Sequence, residues 1–254
     1  MWARLRQGWQ DWRDTRDLRK HPIPEALWQL TLARHPFLAS RSDADLQQLR
    51  RLCSLFLARK EFHGAAGFEV TDEVAVAVAA QACLPVLQIG LHWYDGFVGI
   101  VMHAGEVIAQ REIIDDDGVV HRYEETLAGE AMEGGPLMLA WSEVKLAEES
   151  ARPIDPAYNV VIHEFAHVLS QRHDLLGPRS SWQAILELAS DQLSNRLDRG
   201  LASVIDPYGE ESLDEFFAVA VEAFFVAPQG LHQEQPALYL WLAKLFRQDP
   251  AQVR

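Results

Sequence analysis

The sequence predicts an α+β fold, in which a small sheet is flanked by separate groups of helices. Three observations predict this class: helical periodicity before residue 85, short apolar runs with turn residues between 97 and 141, and helical patterns after residue 158. Helices and strands segregated in this way pack as an α+β domain. With 254 residues, 48% of them apolar, the chain is long enough to bury one substantial core.

The first twenty residues are predicted to form a basic amphipathic helix, and residues 21–254 a single domain. Residues 1–20 carry six basic and three acidic side chains. Apolar residues recur there at helical spacing, namely Trp2, Leu5, Trp9 and Trp12. Such a helix could lie on a membrane surface or a partner. Packing on the protein's own body is favoured, because one short helix is weak evidence for a membrane or partner surface.

Two capped helices are predicted next. Ser42 or Asp43 caps the first, and Thr71, followed by acidic residues, begins the second. The second helix is expected to end near Leu84, to break at Pro85 and to lead into a strand.

The middle of the chain is predicted to be rich in strands. Residues 97–102 and 107–109 flank the short turn His103–Ala104–Gly105, which predicts a hairpin. Asp115–Gly118 is predicted to be a polar turn, since it lacks the further ligands of a calcium loop. Leu137–Trp141 is predicted to be a short strand whose open edge could pair with an extended peptide. Four helices are then predicted near 158–171, 181–199, 212–226 and 236–247.

Charge and cysteine content exclude several classes of protein. Lys and Arg number 23 and Asp and Glu number 37, which gives a net charge of −14 and disfavours nucleic-acid binding. Cys53 and Cys83 lie among apolar residues, which predicts buried thiols in a reducing compartment. No secretory signal and no membrane span are predicted, so we expect a soluble, cytoplasmic protein.

The strongest functional signal is His163–Glu164–Phe165–Ala166–His167. On a helix the two histidines lie about 40° apart on one face and one turn apart, so both imidazoles can bind one metal ion. Glu164 lies near enough to act on a water at that metal. Zinc is the expected ion, because imidazole and carboxylate ligands with one open position form a hydrolytic zinc site.

The spacing of the sequence leaves the third ligand open. Glu187 lies twenty residues after His167, in an element resembling the Glu-x-x-Ser-Asp of thermolysin-like peptidases, and Glu215 lies in a later apolar helix. Glu222 is seven residues beyond Glu215, shares its helix face, and is predicted to orient a ligand imidazole. Another hypothesis is a structural zinc site, in which His173 or Asp174 fills the open coordination position. It is disfavoured because structural zinc sites are usually rich in cysteine.

Several segments in the same order resemble the Mlc titration factor A (MtfA) family of zinc peptidases. They span nearly the whole chain and comprise residues 56–62, 79–85, 135–141, 159–167, 206–208, 215–219 and 248–250. The family is similar to the catalytic domain of anthrax lethal factor. The resemblance therefore implies a zincin-like fold, with a small mixed sheet, an active-site helix and flanking helices. The chain departs from the family at Val168–Leu169–Ser170, where relatives commonly have Lys-Leu-Asp, and in a shortened segment between His173 and Trp182.

The resemblance implies a gluzincin-type peptidase with His163, His167 and Glu215 as zinc ligands and Glu164 as general base. It also implies that Tyr208 donates a hydrogen bond to the oxyanion, although the residues alone allow Tyr208 to be a turn aromatic. The expected substrate is a peptide or protein, with aminopeptidase and endopeptidase action both open. Family members are linked to the glucose-responsive repressor Mlc, so the alternative is a repressor-binding protein with minor peptidase activity.

Overall fold

The computed structural model describes residues 13–114, 120–132, 134–149 and 156–252. Its architecture is mixed α/β, with a small sheet and many helices packed on one hydrophobic core. The N-terminal helices are 13–20 (α1), Glu25–Arg34 (α2), Pro36–Ala39 (α3), Asp43–Arg59 (α4) and Asp72–Cys83 (α5). Among the helices that the structure describes, none has the length and apolar character needed to cross a membrane.

Helix α1 packs on the body of the protein. Asp14 pairs with Arg59 and Arg51 of α4, and Leu18 packs against the core. Residues 1–12 lie outside the described residues, and with them the apolar stripe of the predicted amphipathic helix.

Both predicted helix caps are confirmed. The side chain of Ser42 accepts a hydrogen bond from the backbone N–H of Asp45 at 3.2 Å, and Thr71 accepts one from Val74 at 3.4 Å. These bonds satisfy backbone donors that a helix N-terminus leaves free. Cys53 and Cys83 on the two helices are free thiols and fully buried, as predicted.

The strand predicted after Pro85 is wrong. Residues 84–89 form turns, followed by a 3₁₀ helix at Leu91–Tyr94. The side-chain amide of Gln248 donates to the carbonyls of Leu84 and Pro85, at 2.9 and 3.4 Å. A distant side chain therefore satisfies backbone groups that would otherwise need a neighbouring strand.

The main sheet has four strands in the order β1-β2-β6-β5. The six strands are Glu61–Gly64 (β1), Gly99–His103 (β2), Val107–Ile114 (β3), Val120–Leu127 (β4), Gly129–Ala131 (β5) and Leu137–Ala140 (β6). Strand β2 runs parallel to both β1 and β6, whereas β5 runs antiparallel to β6 and forms an edge of the sheet. Strand β1 comes between α4 and α5 in the chain, so helices and strands are less segregated than the sequence predicts.

Two predictions about the strands are wrong. Strand β3 does not pair with β2 across the turn at residues 103–105; it pairs with β4, from Val107 opposite Leu127 to Ile114 opposite Val120. Strand β6 lies inside the sheet, whose two edge strands are β1 and β5, and Trp141 begins a helix. Local turn chemistry identifies a reversal of the chain but not which strand becomes the partner. The predicted turn Asp115–Gly118 lies outside the described residues.

All four predicted C-terminal helices are present, with boundaries shifted by a few residues. The helices after the sheet are Trp141–Glu149 (α6), Val160–Ser170 (α7), His173–Leu176 (α8), Arg179–Asp198 (α9), Leu213–Val226 (α10), Pro228–Glu234 (α11) and Pro236–Phe246 (α12). Helix α7 is central, since it contacts α5, α6, α10 and β5.

Phe165 anchors α7 in the core. Its ring is fully buried and lies 4.9 Å from that of Tyr94, 5.7 Å from Phe56 and 5.8 Å from Phe97, measured between ring centroids. Because Phe165 lies within the His163–His167 motif, this packing also holds the motif at a defined depth in the fold.

F165A is expected to lower the free energy of unfolding by about 3–5 kcal/mol, because it leaves a cavity within this aromatic cluster. The corresponding fall in Tm is roughly 10 °C, measured by differential scanning calorimetry. L188A is the control, since Leu188 is 57% exposed and its truncation should change stability by about 0.5 kcal/mol or less. A Tm for F165A equal to that of L188A would contradict this account.

Candidate metal centre

Three side chains from two helices converge at one point. His163 and His167 lie one turn apart on α7, and Glu215 lies in the first turn of α10. The Nε2 atoms of the two histidines are 3.1 Å apart, and Glu215 Oε2 lies 3.0 Å from the first and 3.3 Å from the second. Sequence spacing did not decide between Glu187 and Glu215, and the fold brings Glu215 to the histidines.

These separations fit a small metal ion. Donors bound tetrahedrally at about 2.0–2.1 Å from a zinc ion lie about 3.3 Å from one another, close to the observed distances. Within the described part of the chain, His163, His167 and Glu215 form the one group of His, Cys, Asp and Glu donors placed to hold a metal ion. The arrangement therefore has three protein donors and leaves a fourth position for water or substrate.

The buried carboxylate of Glu222 contacts His163 on the ring nitrogen that points away from the other donors. Glu222, 2% exposed, lies with Oε1 2.7 Å from His163 Nδ1, and its Oε2 accepts a hydrogen bond from the backbone N–H of Asn159. A proton on Nδ1 leaves Nε2 free to bind a metal, so this contact selects the tautomer and orientation of the ring. Glu222 lies where the sequence predicted an orienting residue.

The start of α7 is held by a buried polar network. Asn159 caps the helix by accepting from Ile162 N–H at 2.9 Å, and its Nδ2 donates to Gln81 Oε1 on α5 at 2.7 Å. Gln81 also donates to the carbonyl of Ala77 at 3.0 Å. Sequence analysis missed the positioning role of Asn159 and Gln81. An Asn just before an apolar helical run is a capping signal, but the partnership with Gln81 leaves no signal in the sequence.

The pocket stabilises positive charge. Burial opposes a charge on His163, but hydrogen bonds to Glu215 and Glu222 outweigh it and raise the pKa of His163 to about 10. Burial also works to raise the pKa of Glu215, yet hydrogen bonds to His163 and His167 lower that pKa to about 2. A site that favours a protonated imidazole beside an ionised carboxylate is electrostatically suited to a cation.

Glu164 lies beside the three donors without joining them. Its side chain is 5% exposed and faces β5, and burial raises its pKa to about 7. Two adjoining cavities of about 200 and 390 Å³ share Glu164, His163 and Tyr208 in their walls. Glu164 is therefore next to both the donors and the space in which a substrate could lie.

Tyr208 lines both of these cavities, which together are called the cleft. It belongs to a 3₁₀ helix at Pro207–Glu210, which Asp206 caps by accepting from the backbone N–H of Tyr208 at 2.8 Å. The ring is 43% exposed, and its centroid lies 6.1 Å from that of His163. The structure thus places Tyr208 beside the candidate metal ligands.

Other candidates lie elsewhere. Glu187 is exposed on α9 and accepts a hydrogen bond from Gln183 at 2.6 Å. Asp174 is exposed and lines a different cavity beside Trp93, and the side chain of His173 lies outside the described residues. Ser170 donates to the carbonyl of His167 at 3.0 Å, which supports the end of α7.

The match of this chain to a family model makes it a metallopeptidase-like protein, and its mixed α/β fold with a candidate metal site is consistent with that class. A family model described as glucose-regulated metallo-peptidase M90 matches residues 9–247, and the chain belongs to this family. This membership confirms the resemblance found in the sequence.

Curated relatives match over most of their length. The chain is 37% identical to an uncharacterized protein of Synechocystis sp., over 95% of this chain and 90% of the relative. It is 31% identical to Mlc titration factor A of Cronobacter sakazakii, over 90% of this chain and 87% of the relative. It is 33% identical to Mlc titration factor A of Pectobacterium atrosepticum, over 88% of this chain and 86% of the relative.

E222Q is expected to weaken zinc binding by about 10–100-fold, because the amide no longer offers a charged acceptor to His163 Nδ1. The measurement is zinc affinity in competition with a chelator. E211Q, a change at an exposed glutamate, is the matched control. Equal affinities in the two variants would show that Glu222 does not support the site.

Proposed function

We propose that this protein is a zinc-dependent peptidase with a zincin-like fold. The observation that carries the proposal is the convergence of His163, His167 and Glu215 beside Glu164, which is left free of the donor set. Two imidazoles and one carboxylate with an open position form the ligand set of hydrolytic zinc enzymes. Family membership supports a metallopeptidase, and the donor set supports zinc as the metal.

His163, His167 and Glu215 would hold a zinc ion, which would supply Lewis-acid chemistry by lowering the pKa of water to about 7 and polarising the substrate carbonyl. Glu164 accepts the proton of the attacking water as the new C–O bond forms. It then gives that proton to the amide nitrogen as the C–N bond breaks. The products are a carboxylic acid and an amine, and transfer of the acid's proton to the amine leaves a carboxylate and an ammonium group. The Tyr208 hydroxyl donates a hydrogen bond to the substrate oxygen as negative charge develops on it.

The substrate is an extended peptide that pairs with β5. This strand forms one edge of the sheet, and its residues line the cavity that contains His163, Glu164 and His167. An open strand edge offers backbone donors and acceptors to a peptide, and this pairing brings a peptide bond over the donor set.

A second candidate function is binding of a transcriptional repressor. Several relatives carry the name Mlc titration factor A, and similarity to them extends over about nine-tenths of this chain. In this alternative the protein sequesters a repressor related to Mlc, and its peptidase activity is minor. Glu164 favours the enzyme, since a binding module has no need of a buried carboxylate beside a metal site.

E164Q is expected to keep its zinc and to lose turnover by about 10²–10⁴-fold, because the amide cannot accept the proton of water. Turnover is measured with an aminoacyl nitroanilide and with an internally quenched peptide, which cover amino-terminal and internal cleavage. E211Q is again the control. Full peptidase activity in E164Q would exclude Glu164 as the base. If the protein instead acts by sequestering a repressor, E164Q should still bind the purified repressor, which a binding measurement would show.

E215A and E187A separate the two acidic candidates for the third ligand. Elemental analysis of purified protein is expected to find about one zinc ion per chain in E187A and a clear loss in E215A, because three protein ligands are needed to hold a catalytic zinc. Zinc loss in E187A with full retention in E215A would overturn the assignment of Glu215.

A further inference from the structure

The edge strand β5 passes directly against the carboxylate of Glu164 at a glycine. A Cβ atom built at Gly129 would lie 2.5 Å from both Cγ and Oε1 of Glu164 and 2.7 Å from its Cδ. In real proteins a Cβ atom essentially never lies within 3.0 Å of a heavy atom outside its own residue and the two neighbouring residues. The space that any other residue would fill at this position is therefore occupied by Glu164.

We propose that Gly129 is a positioning residue for Glu164, an inference that rests on the proposed function of Glu164 as general base. Glycine within a strand marks a close approach of another group to the backbone. Here the approaching group is the side chain next to the metal ligands. The glycine backbone confines that carboxylate on the face of the strand to which a Cβ atom would point, out of the plane in which a peptide would pair.

The two partners differ in their freedom to move. Strand β5 is fixed by its pairing with β6, in which Gly129 lies opposite Leu139, a fully buried residue. The backbone of Glu164 is fixed by Phe165 and by its place in α7. The side chain of Glu164 can rotate about its χ angles, whereas both backbones are held in place, so an added methyl group would displace that side chain and its carboxylate rather than unfold the sheet.

The displacement required is large on the scale of catalysis. Ordinary van der Waals contact begins at 3.4 Å, so the carboxylate must move by about 1 Å to accommodate a Cβ atom at Gly129. A misplacement of about 1 Å at a catalytic group can reduce a rate by about 10²-fold. Substrate pairing with the backbone of β5 does not require this shift, so the effect should fall on kcat rather than on KM.

The test is G129A, with G99A as the matched control in the same sheet. A Cβ at Gly99 would meet Pro136 Cβ at 3.4 Å, an ordinary contact. G129A is expected to lower kcat by about 100-fold, with KM within about threefold and zinc content unchanged, while G99A stays within about twofold. A crystal structure of G129A should show the Glu164 carboxylate moved by about 1 Å.

Two results would overturn the proposal: a kcat for G129A within about threefold of the parent protein, or an unmoved Glu164 in its structure. Should G129A fail to fold, G129A/E164A decides, because E164A removes the three atoms that would lie nearest to the new methyl group. A folded double variant supports the contact and an unfolded one refutes it. An inactive E164Q with an active G129A rejects this inference alone, whereas an active E164Q rejects the proposed function.

Discussion

The site depends on one buried carboxylate. One carboxylate oxygen of Glu222 forms a hydrogen bond with the ring nitrogen Nδ1 of His163. The other oxygen accepts a hydrogen bond from the backbone N–H of Asn159, at the start of α7. Burial raises the pKa of Glu222, and the hydrogen bonds from His163 and Asn159 oppose that rise. A buried acid is costly without hydrogen-bond partners, so Glu222 requires the helix start and the histidine to remain where they are. Helix α10 thereby fixes both the position of α7 and the orientation of a candidate metal ligand.

The three glutamates around the candidate metal site have different environments and are therefore suited to different chemical roles. Glu215, about one quarter exposed, faces two imidazoles that hold its pKa near 2, which suits a permanent ligand. Glu222 is buried behind His163; it lines the smaller of the two cavities but not the larger one, which contains all three metal donors. Glu164 is desolvated, borders the cleft and stands outside the donor set, which leaves it able to exchange a proton. Position relative to the donors and to solvent, rather than residue type, separates these roles.

The sheet contributes its edge to the site. Because β5 runs antiparallel to β6 while β1, β2 and β6 are parallel, the chain reverses at the edge and lays β5 against α7. The same three-residue strand offers a free edge toward the cleft and, at Gly129, space for Glu164. A peptide lying on this edge and the carboxylate next to it would share one strand as their common support, so the distance between them would be set by backbone geometry.

The amino-acid sequence by itself determined the elements whose information is local. The spacing of His163 and His167 on one helix face, the caps at Ser42 and Thr71 and the four long C-terminal helices follow from periodicity and capping chemistry. Resemblance to a family then selected Glu215 over Glu187, which spacing could not do. Tertiary structure alone decided the pairing of the strands, the edge position of β5, the bond between Asn159 and Gln81, and the contact of Gly129 with Glu164. The parallel pairing of β2 with β1 and β6, the Asn159–Gln81 bond and the Gly129–Glu164 contact join residues far apart in the chain, and a partner across the fold leaves no periodic signal in either segment.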